Sequence, residues 1–216
     1  YITIEIVIML YIKKDISPVS LFGVWRMDES QDELTAMLDN RAWIDDILSI
    51  KSDTRRLEKL SVRVLLKELA GEEKQLRYYE TGRPYLDDGS YSISVSHTRN
   101  YVAVIIAKDF PVGIDIEQIS DKVKRVRSRY ISENEYIDPE NELMHLLLHW
   151  SAKETVYKYL DIPGIELKEE AVVQPFVPQR HGVLNVSETR NNRIIKMEYL
   201  VDDDFVLTYT LETSYL

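Results

Sequence analysis

The apolar positions of the chain fall into short runs whose spacing predicts most of the secondary structure. Tyr91, Ile93 and Val95 alternate with Ser92, Ser94 and Ser96. Side chains of an extended chain point to opposite faces in turn, so this segment predicts a half-buried strand. Tyr101–Ala107 is apolar throughout and predicts a second, more fully buried strand. After a turn at Asp109-Phe110-Pro111, Val112–Glu117 predicts a third. The tail predicts strands near Leu167–Val173, Ile194–Leu200 and Phe205–Leu211, and the apolar start, Tyr1 to Ile12, reads as a buried strand.

Helical spacing appears in three places. Asp32–Leu48 predicts one helix. Ser52-Asp53 is a start signal and Gly71 a stop for a second. Between them Leu57, Leu60 and Val64 form one apolar stripe, and Val62, Leu65, Leu66 and Leu69 form another. A helix apolar on two sides is central in a fold. Its remaining face carries Arg56, Lys59, Arg63 and Lys67, which reads first as a solvated charged face. Asn141–Leu160 predicts a third helix, stopped by Pro163-Gly164. Gly82-Arg83-Pro84 is a loop and Asp88-Gly89 a turn. Each half then has strands and one long helix, an α+β chain with its boundary near Lys108 and halves of residues 1–107 and 108–216.

Composition narrows the functions. The 216 residues include 27 Lys and Arg against 37 Asp and Glu, for a formal net charge of −10. That balance argues against general nucleic-acid binding, which requires a positive surface. There are no cysteines, which excludes thiol catalysis, disulfide scaffolds and cysteine-ligated metal centres. It fits a reducing compartment, and a cytoplasmic location is the expectation. No apolar run approaches the ~20 residues of a membrane span, so no membrane partner is expected. The first segment contains Glu5 and ends in Lys13-Lys14, unlike a signal peptide, and no Met precedes Tyr1.

The strongest chemical signal is Gly113-Ile114-Asp115-Ile116-Glu117. On a strand, Asp115 and Glu117 share one face and Ile114 and Ile116 the other. Two converging carboxylates need a cation between them, or one must hold a proton. A hard divalent ion answers that need. On the last helix Trp150, Glu154 and Lys158 recur every four residues and share one side, so Glu154 offers a third oxygen ligand and Lys158 a contact to phosphate or a group to hold a proton. Ser96-His97 ends the serine-alternating strand. No G-x-S-x-G elbow, H-E-x-x-H, P-loop or G-x-G-x-x-G motif is present, and the helical pair His145 and His149 lies in a leucine-rich stretch.

In order, Gly82-Arg83-Pro84, Ser94-Val95-Ser96-His97, Gly113 to Glu117, and Trp150-Ser151-Ala152-Lys153-Glu154-Thr155-Val156-Tyr157-Lys158 resemble the 4′-phosphopantetheinyl transferase superfamily. The closer resemblance is to its larger, surfactin-synthetase-activating type, a pseudo-dimer in one chain. It implies two similar subdomains related by a pseudo-two-fold, each a small, mainly antiparallel sheet packed with a long helix, and it favours a monomer. It also implies transfer of 4′-phosphopantetheine from coenzyme A to a carrier-protein serine, releasing adenosine 3′,5′-bisphosphate. A metal at the pyrophosphate neutralises charge built up during such phosphoryl transfer.

By the same resemblance, Asp115, Glu117 and Glu154 bind the metal, Mg²⁺ or Mn²⁺. Glu154 or a metal-bound water takes the serine proton, with Lys158 beside it and Glu135 a further catalytic candidate. Arg83, Ser96, His97 and Lys158 bind coenzyme A, and Arg55 or Arg56 contacts its 3′-phosphate. Thr98 stands where relatives often have Ser after the His. The basic run Lys122, Lys124, Arg125, Arg127 and Arg129 is a docking site for an acidic carrier protein, set against a solvated helix. Two other readings compete: a different metal-dependent phosphoryl-transfer enzyme or hydrolase using the same carboxylates, and a non-catalytic carrier-binding module.

Overall fold

A computed structural model of the chain describes residues 10–162 and 164–211. Most of the strand expected over Tyr1 to Ile12, and Pro163 of the expected stop, lie outside the described residues.

The first half begins with a hairpin of β1 (Leu10–Ser17) and β2 (Ser20–Arg26). Two short helices follow, α1 (Gln31–Ala36) and α2 (Arg41–Leu48), where the sequence suggested one. The break is chemical. Ser30 and Glu33 close a capping box on α1, and Asn40 caps α2 by accepting from the Trp43 N–H, so the chain restarts instead of continuing. Helix α3 (Asp53–Ala70) runs as expected from its Ser52 cap to Gly71, which has φ 78°. The small hairpin β3 (Leu76–Tyr78) and β4 (Pro84–Leu86) precedes β5 (Ser92–Thr98) and β6 (Tyr101–Ala107). The first sheet has the order β1-β2-β6-β5, with all neighbours antiparallel.

The second half holds β7 (Ile114–Gln118), a short helix α4 (Lys122–Arg125), the long helix α5 (Glu142–Leu160) and a further turn of helix, α6 (Leu167–Glu170). Strands β8 (Ala171–Val173), β9 (His181–Glu188), β10 (Arg193–Val201) and β11 (Phe205–Thr210) complete it. The second sheet has the order β7-β11-β10-β9-β8, again antiparallel. The strand expected over Leu167–Val173 is corrected to α6 followed by only three strand residues. Lys168-Glu169-Glu170 favours helix, and only Ala171–Val173 pairs with β9.

The fold is layered. Phe22, Val24, Ala103 and Ile105 from the first sheet pack against Ile114, Ile116, Phe205 and Leu207 from the second. On its other face the first sheet buries Trp25, Val102, Val104 and Ile106 against Leu60, Leu65 and Leu66 of α3. The second sheet buries Val186, Met197 and Val206 against Leu148, Ala152 and Val156 of α5. Fully burying each such aliphatic side chain contributes roughly 1.5–3 kcal/mol. The two apolar stripes of α3 therefore meet the sheet and the short helices. Its basic face is not simply solvated. Lys59 lies over the Tyr78 ring at 4.6 Å, Arg63 donates to the Leu76 carbonyl, and Lys67 donates to Met37 O and Asp39, clamping neighbouring segments.

Candidate active site

Strand β7 shows the alternation read from its sequence. Ile114 and Ile116 point into the inter-sheet core, while Trp150 of α5 donates its indole N–H to Glu117 Oε1 at 2.7 Å. Helix α5 comes close because the facing residues are small. A Cβ on Gly113 would run into the Thr155 carbonyl oxygen and lie 3.0 Å from the Tyr159 Cβ. The hydroxyls of Ser151, Thr155 and Thr208 join α5 to β11, with oxygens 2.6–2.9 Å apart.

Strand β5 meets the other side of β7 in an unusual way. The backbone N–H groups of Ile114, Ile116 and Gln118 donate to the hydroxyls of Ser94, Ser96 and Thr98 at 3.2, 3.3 and 3.1 Å. The serine alternation is therefore a seam between the sheets. This corrects the half-buried reading: Ser94 and Ser96 are themselves buried. Each hydroxyl satisfies a donor at the edge of β7 that would otherwise be stranded.

Asp115 is the centre of the arrangement and is 2 % exposed. Its Oδ1 accepts from Ser96 Oγ at 2.9 Å and from Lys158 Nζ at 2.8 Å, and Lys158 also donates to the Ile114 carbonyl. Its Oδ2 is buried with no hydrogen-bond partner. Burial, and then the Asp115 charge, raise the Glu117 carboxyl to about 7. The same two causes raise Glu154. The three carboxylates thus share one field.

They are not, however, drawn into a closed ligand set. Among the described residues no three His, Asp or Glu side chains stand close enough together to hold a metal ion. The donor set nevertheless fits a hard divalent ion. It is all oxygen, it includes an orphaned buried carboxylate oxygen, and its two glutamates are driven toward protonation by burial and then by the neighbouring Asp115 charge.

Beside this group lies a cleft of ≈ 190 Å³, lined by Gly82, Arg83 and Pro84, by Ile93–Val95 of β5, and by Glu154, Tyr157, Lys158 and Asp161. Gly82 has φ 85° in the loop that presents Arg83. Arg83 reaches across to form an ion pair with Asp161, the residue that ends α5. The sequence reading missed Asp161; its place after the last turn of α5 was the only signal. Glu117 also lines a groove of ≈ 280 Å³ that runs past Trp150, Leu147, Val126, Val123 and Lys122.

Other candidates stand apart. Glu135 is buried in an ion pair with Lys153, both side chains 0 % exposed. Its oxygens also accept from the Ser132 and Val173 N–H groups at 2.8 Å, so nothing of it faces the cleft. The structure therefore does not bring Glu135 to the site. Arg56 is held by Gln31, the Ile50 carbonyl and Asp53, while Arg55 is exposed on α3. His97 is exposed, its Nε2 3.8 Å from Glu58. In the basic run, Lys124 and Arg127 pair with Glu142, and Lys122, Arg125 and Arg129 are exposed. Among the described residues no helix is long and apolar enough to cross a membrane.

Residues 111–210, from just before β7 to the end of β11, match the family model described as the 4′-phosphopantetheinyl transferase superfamily. The match covers less than half of the chain. The chain is also 26 % identical over 160 residues to the 4′-phosphopantetheinyl transferase ffp of Bacillus subtilis, covering 66 % of this chain and 65 % of that protein. It is 29 % identical over 107 residues to the 4′-phosphopantetheinyl transferase gsp of Aneurinibacillus migulanus, covering 47 % and 44 %. The chain therefore spans less than two thirds of the length of the curated relatives it matches. The matched segment contains all three candidate metal ligands and Lys158, whereas Arg83, Ser96 and His97 precede it.

Proposed function

We propose that this protein is a 4′-phosphopantetheinyl transferase of the surfactin-synthetase-activating type, its halves 1–107 and 108–216 related by a pseudo-two-fold. It acts on coenzyme A and an apo carrier protein. The observation that carries this reading is the buried Asp115, held by Ser96 and Lys158 and electrostatically coupled to Glu117 and Glu154, at the end of a cleft bearing Arg83. That group lies within the segment of the superfamily match.

In this reading Asp115, Glu117 and Glu154 hold Mg²⁺ or Mn²⁺. When bound, the ion supplies charge neutralisation at the pyrophosphate. Arg83 and Lys158, both in the lining of the cleft, orient the anionic coenzyme, and the exposed His97 and Arg55 contact phosphates that extend beyond it. The carrier serine Oγ forms a bond to the phosphorus bearing pantetheine, and the bond from that phosphorus to the leaving phosphate oxygen of adenosine 3′,5′-bisphosphate breaks. Glu154, a carboxylate in the lining of the cleft, takes the serine proton with Lys158 beside it. Ser96 acts on Asp115, because its hydroxyl is already engaged there and with Ile116.

The groove beside Glu117 and Trp150 receives the carrier, with Lys122, Arg125 and Arg129 meeting its acidic surface. The deciding measurement is the intact mass of an apo carrier protein incubated with the enzyme, coenzyme A and Mg²⁺. A gain of roughly 340 Da, the phosphopantetheine group, that requires metal supports transfer. Asp115→Ala and Glu154→Ala, still folded by circular dichroism, should lose the gain. No gain across a panel of fatty-acid, polyketide and peptide-synthetase carriers overturns the reading.

A further inference from the structure

The ion pair between Arg83 and Asp161 crosses the mouth of the cleft and ties the β3–β4 loop to the end of α5. Asp161 breaks two local rules at once. It caps the helix in the left-handed region, φ 49°, which costs an Asp more than the glycine usual at such a cap. It also places a negative charge at the helix C-terminus, where the backbone dipole favours a cation. Neither choice helps α5, and the side-chain partner of Asp161 lies across the cleft. Residues that violate local preference mark functional positions more often than chance.

The cleft has two cations. Lys158 serves the carboxylate site, where it donates to Asp115, and Arg83 is the second cation in the lining, paired with Asp161. A phosphate entering there and the Asp161 carboxylate compete for one guanidinium, because both use its planar fork of donors.

The geometry points to Asp161 as a positioning residue that holds Arg83 beside the cleft and yields it to the anionic part of the coenzyme. The pair is an ionic latch that sets cofactor affinity. This inference rests on the transferase reading above. Arg83 and Asp161 are 33 % and 42 % exposed, and exposed ion pairs are weak, so the latch weakens coenzyme binding by about two- to fivefold.

The test is calorimetric titration of coenzyme A into wild type, Asp161→Asn, Asp161→Gly, Arg83→Ala and the double variant Arg83→Ala with Asp161→Asn. Asp161→Gly relieves the left-handed cap and guards against a folding defect. Both Asp161 variants should bind coenzyme A about two- to fivefold more tightly than wild type. The KM for coenzyme A should fall by the same factor with kcat unchanged, and Asp161→Asn should change nothing once Arg83 is gone. Unchanged or weaker binding in both Asp161 variants overturns the latch and leaves the transferase reading intact. Equal tightening with and without Arg83 shows a general charge effect and also overturns it. No coenzyme A binding by wild type or any variant overturns the transferase reading and the latch together.

Discussion

Ser96 Oγ donates to Asp115 Oδ1 at 2.9 Å while accepting the Ile116 N–H at 3.3 Å. One hydroxyl thus aims the central carboxylate and closes the seam between β5 and β7. Ser96→Ala leaves a buried N–H without a partner and Asp115 with one donor fewer. The stranded donor costs about 1–3 kcal/mol. Thermal unfolding should show the loss as a lower Tm, and Ser96→Thr, which keeps the hydroxyl, should recover most of it. An unchanged Tm in Ser96→Ala would mean the seam contributes nothing.

Gly113 controls how near α5 comes to β7. A methyl group there meets the Thr155 carbonyl and the Tyr159 Cβ, neither of which can swing aside as a side-chain tip can. Gly113→Ala should destabilise by about 1–3 kcal/mol, the usual cost of overpacking a filled core, and displace Glu154 and Lys158 from Asp115. Denaturant unfolding measures the first effect and the transferase assay the second. Wild-type behaviour in both would show that the helix has room to spare.

Much of this was legible in the sequence because α3, α5 and β5–β7 each carry a clear period or a clear stop signal. The Asp115 and Glu117 face followed from strand alternation alone, since Ile114 and Ile116 had to enter the core. What escaped lies where burial erases the pattern. Strand β2, Leu21-Phe22-Gly23-Val24-Trp25, is covered on one face by α3 and on the other by the second sheet, so no alternation marks it. Strand β9 alternates, with Leu184 and Val186 inward and Asn185 and Ser187 between them, and was readable in hindsight. The role of Ser94, Ser96 and Thr98 was hidden because a hydroxyl facing another strand edge looks, in sequence, like one facing water. Glu135 was drawn toward catalysis by its position in the motif order, and only three-dimensional structure shows Lys153 beside it.

The Lys153–Glu135 pair makes a sharp stability prediction. Lys153 also donates to the Tyr130 and Leu167 carbonyls at 2.6 and 3.0 Å, so the pair fastens the segment after α4 and the start of α6 to α5. Removing one partner strands the other charge in the interior at a cost of about 3–5 kcal/mol. Lys153→Met and Glu135→Leu should each be strongly destabilised in urea. The double variant should regain a large part of the loss. Additive losses would show that the two residues act independently.

His149 gives the pH dependence a definite sign. It is 1 % exposed, its Nδ1–H donates to the His145 carbonyl, and its Nε2 is buried without a partner. Burial lowers it to about 4, with the charges of His145 and Lys153 acting the same way, while Phe176 packs over the ring. The unfolded chain therefore binds a proton that the folded chain refuses between the ordinary histidine range and pH 4. Stability contributed by this site is full above about 6.5 and is lost as pH falls toward 4, by about 3 kcal/mol at the most. Other groups shift as well, Glu117 in the opposite sense, so the comparison is wild type against His149→Asn, whose amide replaces Nδ1 and does not titrate. The difference in unfolding free energy between the two should shrink steadily from pH 7 to pH 4. A constant difference across that range would mean His149 keeps its ordinary proton affinity in the folded protein.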